Sequence, residues 1–477
     1  MLVLLTGALL FLGVGAFVTP DTWLAIAAGR VVAGGIPHHD TLTAWTVGHR
    51  WIDQQWLGQL VLYDLWRAGG VRLLGAVNAL AVVGSLTVVL VGARRRGGAP
   101  RQVVLVGLVA AVPLMLVAGN IRTQSLALPL FAAVLALLCS DSRTPSRRVF
   151  WVIPLLVLWA NVHGSVFLGV ALVGVAAACR LRDAAPPGER AATVLLVLLA
   201  GATLVATPYG LEIFAYVGDL AGNGEVRNVA SDWMPVTLEP IQVPALVLAA
   251  GAVLAIVSSG STLSLFERVA LGLLLVAALS ARRNLGWFGL AGALMLPACL
   301  PARRSPRSAA SVAGGAATLI SAVGAVVVAA VHGLGDAPRQ VDRRFPPAAA
   351  AVISRAVAAD PTAPIFVHPR YADWLLVAAP SLTGHIPFDI RYELLSEAEL
   401  RRFRRVRGQV GDGWRSALGG ARLIVLDRSE RPLGHLPSAA AVLLQENGSR
   451  AAFVRGRIVV IVLGAPPRSH TSAADAR

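Results

Sequence analysis

Apolar stretches long enough to cross a bilayer recur along most of this chain, and they constrain its folding more than any other feature. They run approximately over 2–19, 71–93, 102–119, 124–140, 149–162, 165–180, 191–207, 241–258, 267–281, 285–300 and 311–332. A helix crosses the hydrocarbon layer in roughly 20 residues, so the shorter runs imply tilted or partly buried helices, in a bundle of about eleven spans. Lipid offers no partner for backbone N–H and C=O groups, which leaves helices as the form these runs take. Met1–Val18 lacks the basic leader of a signal peptide and further apolar runs follow it, so it reads as a retained first span.

The charge balance of +16 comes from arginine alone, since the sequence contains no lysine. These arginines gather between apolar runs, which marks them as topology signals and excludes nucleic acid as the partner. Arg94, Arg95, Arg96 and Arg101, then Arg143, Arg147 and Arg148, then Arg180, Arg182 and Arg190, and finally Arg303, Arg304 and Arg307 fall in alternate loops. The positive-inside rule makes those loops cytoplasmic, with the N-terminus on the same side. It places 20–70, 207–240 and everything after about 335 on the outer face of a bacterial plasma membrane. The three cysteines, Cys139, Cys179 and Cys299, each end an apolar run and offer no disulfide framework.

Two organised regions stand out from the spans. The outer loop 20–70 carries apolar residues at helical spacing in Trp23–Val32 and Trp56–Leu65, which predicts two interfacial helices. It also holds Trp23, Trp45, Trp51, Trp56 and Trp66, whose indole rings favour the headgroup layer and also stack on sugar faces. From 336 to 477 the pattern changes to a small α/β domain. Strands are expected at Pro364–His368, Ala421–Asp427 and Arg457–Leu463, and helices near Tyr371–Ala379, Ser396–Arg407 and Pro437–Gln445. The expected domains are thus 1–335 in the membrane and 336–477 outside it.

The polar residues with possible chemistry gather on the outer side. Asp21 follows the first span in Thr19-Pro20-Asp21-Thr22-Trp23, where it suits either a helix N-cap or a reactive carboxylate at the membrane boundary. Asp40 and Asp53 are further carboxylates of the same loop. Arg122, Arg282 and Arg283 occupy hairpin tips against the positive-inside bias, and guanidinium groups suit either a phosphate or snorkelling to headgroups. Asn161 and His163 lie in a tight turn between two apolar runs, where polar groups either bond between helices or face a cavity.

The first outer loop resembles that of the polyprenyl-phosphate-dependent membrane glycosyltransferases of the GT-C superfamily. The features that carry this are Asp21 after span one, a small helix through Ala25, Ala28 and Gly29, and the Gly34-Gly35-Ile36-Pro37 exit. The Trp56-Leu57-Gly58-Gln59-Leu60 helix, Gly69-Gly70 before span two, and Arg94-Arg95-Arg96 closing that span complete the pattern. The resemblance implies a GT-C-like bundle and catalysis by Asp21, as base toward the acceptor or through a divalent metal. Many relatives place a second acid beside the first; here that neighbour is Thr22, and Asp40 and Asp53 are the candidates for the role.

The expected activity is transfer of a sugar from a polyprenyl-phosphate carrier to an envelope glycan, lipid or protein. Asp21, Asp53 and Asp40 are the expected catalytic residues, and Arg122, Arg282, Arg283, His163, Asn161 and Trp56 the substrate-binding ones. The alternative is a catalytically silent membrane protein of the same architecture that binds lipid-linked glycan or scaffolds envelope assembly.

Overall fold

The computed structural model describes residues 18–182, 187–229, 231–258, 262–301, 335–409, 412–429 and 438–464. The apolar runs expected at 2–19 and 311–332, and the arginines at 303–307, lie almost wholly outside these residues. The described chain divides into two compact units, each assembled from separate stretches.

The first unit takes in the described parts of Met1–His38, Ile52–Gly222 and Ala230–Pro338 and is helical. Its elements are α1 (Pro20–Val32), α2 (Trp56–Arg95), α3 (Pro100–Ala118), α4 (Thr123–Asp141), α5 (Val152–Val162), α6 (Val166–Arg182), α7 (Pro187–Thr203) and α8 (Ile213–Gly222). Each apolar run between 71 and 300 coincides with a helix. Among the described residues, Trp56–Arg95, Thr123–Asp141 and Pro240–Ser258 are long and apolar enough to cross a membrane. The outward faces are apolar too: Leu80, Leu198, Leu254 and Val276 are each more than 60% exposed. That inverts the pattern of a water-soluble helix and fits a lipid surface.

The interior of this unit is built on aromatic packing. Phe131 of α4, Trp159 of α5 and Trp287 pack with ring centroids 5.0–6.1 Å apart, and all three are buried. α1 and α2 approach so closely that a side chain at Gly29 would collide with the Gln59 carbonyl. α2 is two helical segments joined through a kink at Gly69-Gly70. Gly70 has φ 59° and ψ −152°, a region essentially closed to residues bearing a β-carbon.

The second unit comprises His39–Trp51, Asn223–Val229 and the described parts of Arg339–Arg477, so it borrows a segment from the loop between α1 and α2. α9 (Glu225–Val229) belongs to it, while α10 (Val243–Ser258), α11 (Leu265–Ser280) and α12 (Leu285–Met295) complete the helical unit. The remaining elements are α13 (Pro347–Ala359), β1 (Ile365–Val367), α14 (Pro369–Ala378), α15 (Glu397–Gly408), β2 (Leu423–Asp427), α16 (Ala439–Leu444), β3 (Arg450–Arg455) and β4 (Ile458–Val462). The sheet runs β1-β2-β4-β3, with β1 and β2 parallel and the other pairs antiparallel. Strands β1, β2 and β4 are the three that the sequence pattern predicts.

The borrowed segment is bonded into this unit. Ala44 and Trp45 donate their amides to the carbonyls of Ile386 and Pro387, at 2.8 and 2.9 Å. Trp45 stacks on Phe388 at 4.8 Å and carries the Arg402 guanidinium over its other surroundings at 4.5 Å. Trp45 and Trp51 are therefore packing residues of this unit instead of headgroup anchors. The basic helix α15 is also largely engaged, since Arg401 and Arg404 pair with Glu225 and Arg401 with Glu397.

Candidate active site

Several polar residues of the helical unit gather near the start of α1. Thr19 occupies the N-cap of α1 and Pro20 its first position, so Asp21 lies one residue inside the helix and does not cap it. The cap region is closed by Thr22, whose hydroxyl accepts from the Thr19 amide at 3.0 Å and donates to the Ile121 carbonyl at 2.6 Å. That second bond ties α1 to the turn before α4, and Arg122 follows directly.

Among the described residues Asp21 has no ion pair and no side-chain hydrogen bond to another residue; only its own backbone amide acts on the carboxyl. It nonetheless shares an electrostatic neighbourhood with Arg122, Asp232 and Arg283. Burial raises its carboxyl above the usual range, Arg122 opposes this, Asp232 adds to it, and Arg283 opposes it again. The group is thus a buried carboxyl within electrostatic reach of two guanidiniums and bonded to neither.

Those guanidiniums come from separate turns. Arg122 precedes α4 and pairs with Asp232 at 2.8 Å. Arg283 lies in the 3₁₀ turn Arg282–Asn284 between α11 and α12, and its guanidinium stands 4.4 Å from the Trp233 ring centroid. The Ser231–Trp233 turn therefore supplies one partner to each arginine. Gln124 bonds the Arg283 carbonyl at 3.3 Å and so links the two turns.

His163 completes the neighbourhood. It caps the C-terminal end of α5 and is 8% exposed. Burial holds its imidazole well below the ordinary histidine range, and Arg283 and Arg122 push in the same direction, so the ring is neutral at physiological pH. Its Nδ1 lies 3.0 Å from the Ser165 amide nitrogen and 2.8 Å from the Ser165 hydroxyl.

The other sequence candidates are placed elsewhere. Asn161 accepts from the Trp56 indole at 2.9 Å and donates to the Val157 and Ala206 carbonyls, so both residues act as an interhelical tie. Arg282 turns to the Pro235 carbonyl, Thr237 and Glu239, away from the groups that act on Asp21. Asp53 is 2% exposed and acts on the Tyr209 phenol, which donates to the Pro37 carbonyl at 2.8 Å. Asp40 belongs to the other unit. Its oxygens accept from the Leu42 amide and the Thr43 and Thr46 hydroxyls, and pair with Arg391 at 2.8 Å. Asp232, which meets Arg122, is a site residue that sequence alone could not place, because only the fold brings the 207–240 loop onto the α4 turn.

A metal site is poorly served here. Among the described residues, no group of three or more His, Cys, Asp or Glu is arranged to hold an ion. Asp21 and Asp232 are the carboxylates of this neighbourhood, and two guanidiniums already supply the positive charge that a cation would bring. The donor set does not fit a divalent ion, and no step below is routed through one.

No protein-family model matches the sequence, and no curated protein matches it. Solved structures do. ArnT from Cupriavidus metallidurans bound to undecaprenyl phosphate aligns over 98% of both chains with a TM-score of 0.51 and 15% identity. The oligosaccharyltransferase of Archaeoglobus fulgidus in its apo form aligns with a TM-score of 0.53 and 11% identity, over 89% of this chain and 69% of that one. Both are GT-C proteins.

The chain has the GT-C fold.

This agrees with the resemblance read from the first outer loop, and it holds at identities too low for pairwise sequence comparison to carry it. The GT-C fold alone does not assign chemistry, which depends on the site residues.

Proposed function

We propose that this chain is a membrane glycosyltransferase that takes a sugar from a polyprenyl-phosphate carrier at the outer face of the membrane. The observation that carries this reading is a buried Asp21 carboxyl that bonds no other residue while Arg122 and Arg283, from two turns linked by Gln124, both act on it. A lipid-linked phosphate is the ligand that two guanidiniums from separate turns suit best, because they supply several charge-assisted donors to its oxygens. The ArnT structure that aligns along the full chain holds undecaprenyl phosphate, which supports the same class of carrier.

In the proposed reaction, an acceptor hydroxyl attacks the anomeric carbon of the carrier-linked sugar. The new glycosidic C–O bond forms as the bond from the anomeric carbon to the phosphate oxygen breaks. Asp21 takes the hydroxyl proton, and the polyprenyl phosphate leaves with its added negative charge held by Arg122 and Arg283. Burial of Asp21 favours this role, since it raises the carboxyl above its ordinary range and a carboxylate with a raised pKa is a stronger base once ionised. Asp232 holds Arg122 by the ion pair and shares it with the phosphate when carrier binds.

About eleven spans, a cytoplasmic N-terminus and an outer C-terminal domain over 336–477 belong to the same proposal. They rest on the alternation of arginine clusters. The envelope acceptor is a glycan, lipid or protein. The test is to incubate the purified chain in lipid with polyprenyl-phosphate sugars and assay release of the carrier. Release that depends on both acceptor and protein is the expected result. A chain that binds carrier yet releases none with any of several sugars is instead the silent lipid-glycan-binding protein.

A further inference from the structure

We propose that His163 is a fixed neutral donor that directs its Nε2–H to a phosphate oxygen of the lipid carrier. The inference rests on the carrier site proposed above and adds a third group to it. It begins with the hydrogen bonds around Ser165.

The Trp159 indole N–H donates to the Ser165 hydroxyl at 3.0 Å, since an indole nitrogen has no acceptor role. The Ser165 hydroxyl lies 2.8 Å from His163 Nδ1 with its hydrogen free to donate there. The Ser165 backbone N–H also points at Nδ1, at 3.0 Å, and a backbone amide only donates. Nδ1 therefore accepts from two donors and carries no proton. A neutral imidazole with a bare Nδ1 bears its single proton on Nε2.

The cationic ring is disfavoured on three counts. A proton on Nδ1 would confront the Ser165 amide hydrogen, the ring is buried, and Arg122 and Arg283 are both near enough to repel a positive charge. Trp159 and Ser165 are thus positioning residues, and Trp159 is itself fixed by packing on Phe131 and Trp287. No partner for Nε2 exists among the described residues. Gly58 packs against both the Val162 carbonyl and the Thr123 side chain, which sets the His163 turn beside the Arg122 turn; an N–H donor there has an acceptor of negative charge as its natural complement, and the carrier phosphate is the anion this site takes.

A neutral donor serves here where a cation would not. The phosphate must leave after transfer, and a third full charge would hold it more tightly in the product complex.

The test uses the full chain in nanodiscs and polyprenyl phosphate without sugar, so that binding is read apart from transfer. His163→Leu is expected to weaken carrier binding about tenfold or more, as for a lost hydrogen bond to a charged group. His163→Gln places an amide N–H near the Nε2 position and should recover most of the affinity. His163→Asn reaches only as far as Nδ1 and should not. On the unsubstituted chain, ¹⁵N spectra of labelled histidine should show one neutral ring with a protonated Nε2, assigned by its loss in the His163→Gln variant. Equal affinities across the series, failure of the parent chain to bind the carrier, or a ring protonated on Nδ1 would each overturn the proposal. A chain that shows the expected series but transfers no sugar removes the transferase reading and leaves this one intact.

Discussion

Asp21 and Asp40 are both carboxylates of the same stretch of sequence, both beside arginine, yet their surroundings differ in kind. Asp40 is saturated: three donors and the Arg391 guanidinium occupy its oxygens, and Arg391 is held in turn by Asp389 at 2.6 Å and stacked over Trp51 at 4.4 Å. Burial works to raise the Asp40 carboxyl, but Arg391 and these hydrogen bonds outweigh it and hold it below the usual range. Asp21 stands near two arginines without bonding either, and burial prevails. A charge whose oxygens are all engaged holds a fold together, whereas one left open is available to a substrate.

The comparison is most exposed at Arg391. Replacing it with alanine leaves Asp40 and Asp389 buried without a cation, and removing one partner of a buried pair costs about 3–5 kcal/mol. A denaturant or thermal unfolding series should show that loss, and a change below about 1 kcal/mol would mean that water reaches the cluster. The next largest effects belong to the open site. Arg122→Ala and Arg283→Ala should each weaken polyprenyl-phosphate binding by about tenfold or more, equivalent to roughly 1.5–3 kcal/mol. Arg282→Ala is the internal control, since that side chain is tied to its own exposed loop, and its effect on carrier affinity should stay within a few tenths of a kcal/mol, roughly twofold.

Titration sharpens the contrast further. The folded pKa of Asp40 lies below the ordinary aspartate value of 3.8, so its stabilisation is fully present above that pH and is lost as the pH falls through the lowered value. Unfolding curves of Asp40→Asn should accordingly lose part of the acid limb below 3.8 that the parent chain shows. Asp21 shifts the other way. A base must be deprotonated, so the rising limb of transfer rate against pH should have its midpoint above 3.8, and a midpoint below that value would contradict the buried, open environment.

Much of this was legible in the sequence, and for identifiable reasons. Apolar periodicity located the helices between 71 and 300, because in lipid a run of apolar residues has few alternatives. The buried strands β1, β2 and β4 read as short apolar runs, whereas β3 did not. Its sequence Arg450-Ala-Ala-Phe-Val-Arg455 is a half-exposed edge strand with arginines at both ends, so neither burial nor alternation marked it. At the site, Asp21, Arg122, Arg283 and His163 stood out as polar groups in apolar surroundings. What sequence did not separate was Arg282 from Arg283, because adjacent residues in a 3₁₀ turn point in different directions and only tertiary packing decides which faces inward. Nor did it show that His39–Trp51 folds with the second unit, since that pairing depends on backbone bonds to residues more than 300 positions away.

The most direct measurement is sugar transfer by Asp21→Asn beside the parent chain, with carrier affinity and unfolding followed in the same preparations. Asp21 lies inside the first turn and not at the N-cap position, so its charge contributes to helix stability through the dipole, about 0.3–1 kcal/mol. Asparagine keeps the size and polarity of the side chain but removes the base. The account predicts a fall in transfer of roughly 10²–10⁴-fold with little change in unfolding or in carrier binding. Transfer by Asp21→Asn at the parent rate would contradict it and remove Asp21 from the reaction.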